Sequence, residues 1–139
     1  MDGPATGRRV LVVEDEVLVS WIAQDLLADM GCVVIGPAAS VDQALEVIAT
    51  MGLDAAVLDI NLNGQMSYPV ADELIARGVP FVFATGYDRG GIPERYQRFS
   101  VLQKPLMREA LRQAMSAMAY APAPSPEAPI GGAPDPEPG

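Results

Sequence analysis

Four groups of polar residues in this 139-residue chain each come at the end of a short apolar run. Glu14-Asp15-Glu16 follows the run 10–13, Asp59 follows 55–58, Thr85-Gly86 follows 81–84, and Lys104-Pro105 comes just after 100–102. If these runs are parallel strands, their polar ends share one rim and several carboxylates converge on a small volume. Such carboxylates cannot all stay ionised at close range without a cation. An oxygen-only ligand set, with no His or Cys, suits a hard divalent ion, Mg²⁺ ahead of softer metals. Mg²⁺ takes one or two carboxylates and fills its shell with water and phosphate oxygens, so a phosphorylated partner is implied. Beside the ion, the Asp59 carboxylate can attack phosphorus and become an aspartyl phosphate, with the metal neutralising charge on the transferring group. Lys104 supplies a second positive charge. The Thr85 hydroxyl and the Gly86 N–H can donate to phosphoryl oxygens. Lys104 is also the only lysine beside eight arginines, which points to a need for a compact ammonium at that position.

Five apolar runs, 10–13, 32–35, 55–58, 81–84 and 100–102, must carry these groups. They are apolar on successive residues, as expected of parallel strands covered on both faces. Between them lie segments with helical period. Val19, Ile22, Ala23, Leu26, Leu27 and Met30 would form one helix face, Val41, Ala44, Leu45, Ile48 and Met51 a second, and Met107, Ala110, Leu111, Ala114, Met115 and Met118 another. Ser40 and Gln43 have capping-box spacing. Pro69 suits a first turn, and Gly31, Gly52 and Gly78 are placed to stop helices in the left-handed conformation. The segment 86–98 is weakly periodic and holds Gly90, Gly91 and Pro93, so a fourth helix there should be short or irregular. The pattern is α/β, (βα)5, an open doubly wound five-stranded parallel sheet with right-handed crossovers. Ligands bind such sheets outside the carboxyl ends of the strands, where strand order reverses.

Composition closes off other chemistries. Histidine is absent and Cys32 is the single cysteine, which removes Ser-His-Asp and Cys-His hydrolases, most zinc enzymes and any intramolecular disulfide. Cys32 itself reads as a buried, inert thiol. Eighteen acids against nine bases give a net charge of −9, which argues against nucleic-acid binding by phosphate neutralisation. No apolar run is long enough to span a bilayer, and the N-terminus lacks a secretory h-region, so the expectation is a cytoplasmic protein. The expected organisation is a flexible N-terminus at 1–7, one domain over 8–120 and a disordered tail over 121–139. That tail holds seven prolines and no large aliphatic except Ile130, too little to offset its ordering entropy. Nothing after it is expected to act as an output domain.

Taken singly, each polar group has a bland reading. Glu14 and Asp15 could simply complement a helix dipole, Asp59 could close an Asx turn, Thr85-Gly86 could be a turn and Lys104 a solvated charge. Trp21 reads as packing or interface, and Tyr96 and Phe99 as anchors beneath the irregular segment. Joint placement on one rim favours a site.

That arrangement resembles the receiver domain of two-component response regulators over residues 8–119. The family has an acidic pair after its first strand, a phosphoacceptor Asp ending the third, Thr or Ser ending the fourth and Lys-Pro ending the fifth. Glu14 with Asp15, Asp59, Thr85, and Lys104 with Pro105 hold those positions. The resemblance implies a flavodoxin-like strand order, 2-1-3-4-5, and Mg²⁺ held by Glu14, Asp15, Asp59 and the Asn61 carbonyl. It also implies a phosphate site including Asn61 and Gly86, and a switch through Thr85, Tyr87 and Pro105. The stretch Phe83-Ala84-Thr85-Gly86-Tyr87 is similar to the FATGY-type subgroup, whose members often stand alone and have an irregular fourth helix. Two features depart from the family pattern: Val101 occupies the usual aromatic switch position, so Tyr87 is expected to assume part of that role, and the loop after Asp59 lacks Met-Pro.

The expected function is a stand-alone response regulator, not an enzyme with a separate substrate. It would take a phosphoryl group on Asp59 from a sensor histidine kinase or a histidine phosphotransfer protein, and signal or act as a phosphate sink as a monomer or weak dimer. A phosphorylation-independent adaptor is the alternative. A Mg²⁺-dependent phosphohydrolase is disfavoured, because haloacid-dehalogenase-type enzymes need aspartates two residues apart after the first strand, and Glu14 and Glu16 hold that spacing here.

Overall fold

The computed structural model describes residues 6–86 and 92–118. Tyr87 and the proline-rich segment 121–139 lie outside the described residues, as do residues 1–5 of the N-terminus. The chain runs β1 (Arg9–Val13), α1 (Val17–Asp29), β2 (Val33–Ala38), α2 (Val41–Thr50), β3 (Ala55–Asp59), β4 (Asn61–Leu62), β5 (Gln65–Met66), α3 (Tyr68–Ala76), β6 (Phe81–Thr85), β7 (Val101–Gln103) and α4 (Arg108–Ala117). β2, β1, β3, β6 and β7 form one parallel sheet in that order. Counting only these five strands, the order is 2-1-3-4-5, the flavodoxin-like doubly wound fold that the sequence leads one to expect.

Strand alternation divides the core in two. Leu11, Val13, Ala56, Leu58, Phe81 and Phe83 face α2 and α3. Val10, Val12, Ala55, Val57, Val82 and Ala84 face α1 and α4. Every residue of β3 and β6 is buried, which is why these strands read as unbroken apolar runs.

β2 departs from that expectation because it is an edge strand. It extends to Ala38 through Gly36 and Pro37, with Val33, Gly36 and Pro37 exposed. Pro is tolerated at an edge, where its missing N–H breaks no ladder. Gly36 has φ +97, and a Cβ there would lie 2.9 Å from the Ala38 N and 3.1 Å from the Val12 O. The irregular register between Leu11 and Val13 therefore requires glycine.

The helix ends follow the sequence with one exception. Ser40 caps α2 by accepting from the Gln43 N–H at 3.1 Å, and Gln43 Oε1 accepts from the Ala39 N–H at 2.8 Å. Pro69 lies in the first turn of α3. Gly31 and Gly78 take positive φ, but Gly52 does not, because Met51 already leaves α2 in an extended conformation.

α1 also turns differently from the expected face. Its buried residues are Ser20, Ala23, Leu26 and Leu27, whereas Ile22 is 44% and Trp21 59% exposed, alongside exposed Val17 and Leu18. The helix is apolar nearly all round in its first half, so periodicity cannot select the buried side. Between β6 and β7, the only helical structure among the described residues is a 3₁₀ turn, Glu94–Tyr96. Its Tyr96 is fully buried. Among the described residues, no helix is long and apolar enough to cross a membrane.

Candidate functional site

Register builds the site. Val13 pairs with Leu58, so Glu14 comes level with Asp59 at the end of β3. Asp59 pairs with Ala84, placing Thr85 one step beyond it. Thr85 pairs with Gln103, and Lys104 follows, its N–H donating to the Thr85 carbonyl at 2.8 Å. Three strand pairings thus bring acids, a hydroxyl and an ammonium to one rim.

Carboxylate oxygens of Glu14, Asp15 and Asp59 lie within 4.8 Å of one another. Lys104 Nζ stands among the acids, 3.0 Å from Glu14 Oε1 and 3.1 Å from Asp59 Oδ2. The side chains of Glu14 and Asp59 are only 5% and 6% exposed, and that of Lys104 15%. Burial pushes the Glu14 carboxyl up to about 7, a rise that Asp59 reinforces and that Lys104 and the Glu16 N–H oppose. Burial alone would lower the Lys104 ammonium, but its hydrogen bonds to Glu14 and Asp59 outweigh it, and the net shift is upward. Lys104 therefore stays charged. One ammonium against two buried carboxylates and a third beside them leaves a deficit of positive charge, and the donors are all oxygens. The residues fit a hard divalent cation.

An open cleft of about 540 Å³ gives access. Asp15, Glu16, Asp59, Asn61, Gly86 and Lys104 line it, with Asn63 and Gly64 on the side of the β3–α3 connection. Thr85 is buried one residue before Gly86, and Pro105, after a cis peptide, follows Lys104 at the surface.

The wall next to Asp59 is a β4–β5 hairpin, where the sequence pattern leads one to expect only a loop. Asn63 (φ 53) and Gly64 (φ 89) form its two-residue turn, the Asn-Gly signal of a type I′ hairpin. Asn61 Oδ1 accepts from the Gly64 N–H at 2.7 Å, and the Asn61 N–H donates to Asp59 Oδ1 at 3.3 Å. Asn61 thereby couples the turn to the Asp59 carboxylate. Glu16, one of the three acids after β1, has no role in the family pattern, yet its Oε1 lies 3.4 Å from Lys104 Nζ. No local signal announces a contact across 88 residues.

Comparison with known proteins agrees with this geometry. Residues 10–116 match the family model of the response regulator receiver domain. The solution structure of SdrG from Sphingomonas melonis Fr1 is 38% identical, with a TM-score of 0.73 over 81% of this chain and 96% of that one. The receiver domain of the PhyR response regulator from Erythrobacter litoralis is 28% identical, with a TM-score of 0.70 over 82% and 91%. The transcriptional regulatory protein PdtaR of Mycobacterium tuberculosis is 26% identical over 102 residues, which make up 68% of this chain and 50% of PdtaR. The chain thus spans about half the length of the curated relatives it matches. On its sequence, its strand order and its acidic rim, the chain belongs to the response regulator receiver domain family.

Proposed function

We propose that Asp59 is the phosphoacceptor of a Mg²⁺-dependent response regulator, served by a sensor histidine kinase or a histidine phosphotransfer protein in the cytoplasm. The observation that carries this reading is the Asp59 carboxylate itself. It sits at the floor of an open cleft, 3.1 Å from Lys104 Nζ and clustered with Glu14 and Asp15. In the proposed step an Asp59 oxygen attacks phosphorus as the P–N bond to a phosphohistidine breaks. The electron pair of that bond returns to the ring, which leaves as neutral imidazole when protonated on its other nitrogen.

Glu14, Asp15, Asp59 and the Asn61 carbonyl would hold the Mg²⁺, whose charge would offset that on the phosphoryl oxygens. Lys104 then exchanges a carboxylate for a phosphoryl oxygen. The Gly86 N–H and the Thr85 hydroxyl would follow the new dianion, biasing the β6–β7 side of the sheet. Tyr87 and Pro105 belong to the same proposed response. A protein donor is favoured by the exposed Val17, Leu18, Trp21 and Ile22 on α1, whose N-cap is the cleft-lining Glu16. Apolar residues left uncovered beside a site mark a docking face.

Labelling with acetyl phosphate and Mg²⁺ tests the assignment. Asp59→Asn should take up no phosphoryl group while keeping the wild-type circular dichroism spectrum and cooperative melt. Undiminished labelling of that variant would remove Asp59 from the role.

A further inference from the structure

Glu16 has a placement that the acceptor reading does not use. It occupies the N-cap position of α1, with extended backbone angles, yet its side chain makes no capping hydrogen bond. An acidic group at a helix start ordinarily turns toward the free N–H groups of the first turn. Glu16 instead reaches across the cleft mouth to Lys104 Nζ, at 3.4 Å. Only its backbone serves the acidic cluster, the N–H donating to Glu14 Oε2 at 3.1 Å.

Lys104 consequently faces carboxylates on three sides: Glu14, Asp59 and Glu16. An ammonium has three protons to donate, so contact with a phosphoryl oxygen requires it to release one of these partners. Glu14 and Asp59 are buried and grouped with Asp15. Glu16 is the longest of the three contacts, lies outside that group, and has a side chain 64% exposed. Water can therefore take over its solvation at little cost when it is released.

We propose that Glu16 is a positioning residue for phosphoryl transfer, competing with the incoming group for the Lys104 ammonium and so slowing uptake from small anionic donors. The inference rests on the reading of Asp59 as acceptor. An exposed pair of this kind changes an equilibrium by about two- to fivefold, and the rate should respond on that scale.

The test uses the full chain in three forms: wild type, Glu16→Gln and Glu16→Asp. Each is labelled with acetyl phosphate and Mg²⁺ at low and high salt, after a thermal melt confirms that it is folded. Glu16→Gln should label about two- to fivefold faster at low salt, with the gain shrinking at high salt. Glu16→Asp keeps the charge but is one methylene too short for the contact, and should also label faster than wild type. Wild-type behaviour of Glu16→Asp beside a faster Glu16→Gln would reduce the effect to repulsion of the donor and overturn the proposal. An unchanged or slower Glu16→Gln would overturn it directly.

A second readout does not depend on Asp59. Lys104 is the only lysine, so its acylation by acetic anhydride can be followed by peptide mass spectrometry. Both variants should acylate faster than wild type, and equal rates would sink the contact. Absence of phosphoryl label in all three forms, with faster acylation in the variants, would remove the acceptor reading and the competition for a phosphoryl group, leaving only the geometric pair.

Discussion

On the face of the sheet covered by α1 and α4, the core is aliphatic: Val10, Val12, Val57, Val82, Leu27, Leu111 and Met115 fill it. On the opposite face, α2 and α3 pack on aliphatic residues such as Leu11, Leu58 and Leu74, but beyond them the described residues offer only a 3₁₀ turn as cover, and there rings fill the space. Tyr68 stacks on Tyr96 at 4.7 Å, Phe81 on Phe99 at 4.5 Å, and Phe83 meets both Tyr68 and Tyr96 edge-on. Two regular helices can cover a sheet with small branched side chains because their backbones supply the bulk. Where a short turn replaces a helix, large rigid side chains reach the distance instead. The described part of that segment, from residue 92 on, is anchored through Tyr96 and Phe99.

That contrast is open to direct attack. The largest effect is expected at Phe83, whose truncation to Ala should cost about 3–5 kcal/mol in urea unfolding. Val82→Ala, one residue away on the aliphatic face, removes less volume and should cost clearly less. A reversed order of the two would break the comparison. A smaller effect is expected at Tyr96, whose hydroxyl donates to Asp72 Oδ1 on α3 at 2.5 Å. Tyr96→Phe keeps the ring and loses that bond, and should cost about 1 kcal/mol; no loss would mean that stacking alone holds the turn. The smallest effect on stability is expected at Trp21, where Ala should shift it by less than about 0.5 kcal/mol. Trp21→Ala should nonetheless slow transfer from a phosphohistidine protein severalfold and leave acetyl phosphate labelling unchanged. Equal slowing with both donors would contradict a docking role.

The same contrast explains what could be read without coordinates. The strands 55–58 and 81–84 are legible because central parallel strands bury both faces and allow no polar residue until the rim. Asp59 and Thr85 stand out for that reason: the apolar run stops and a polar group begins. Edge and surface features are less legible. Gly36-Pro37 looks like a break and is in fact part of β2, since an edge strand tolerates both residues. The rotation of α1 is invisible because Val17, Leu18, Trp21 and Ile22 are as apolar as the residues it buries. Asn63-Gly64 is a hairpin signal in the sequence, but its flanking strands are only two residues each, too short for any alternation to mark them. Gly52 carries a stop signal that Met51 makes unnecessary. The Glu16–Lys104 pair depends on the register of four strands, β1, β3, β6 and β7, which no local pattern encodes.

The Asn63-Gly64 turn has a consequence for the order in which the rim acquires its shape. A two-residue loop closes at almost no entropic expense compared with the long crossovers that bring Glu14 and Lys104 to Asp59. The Asn61 and Gly64 amides are both bonded within this short segment, so their exchange with deuterium should report local opening of the turn rather than opening of the sheet. The Asp59 carboxylate has in Asn61 a neighbour fixed by the local chain, beside charged groups that only the long crossovers bring to it.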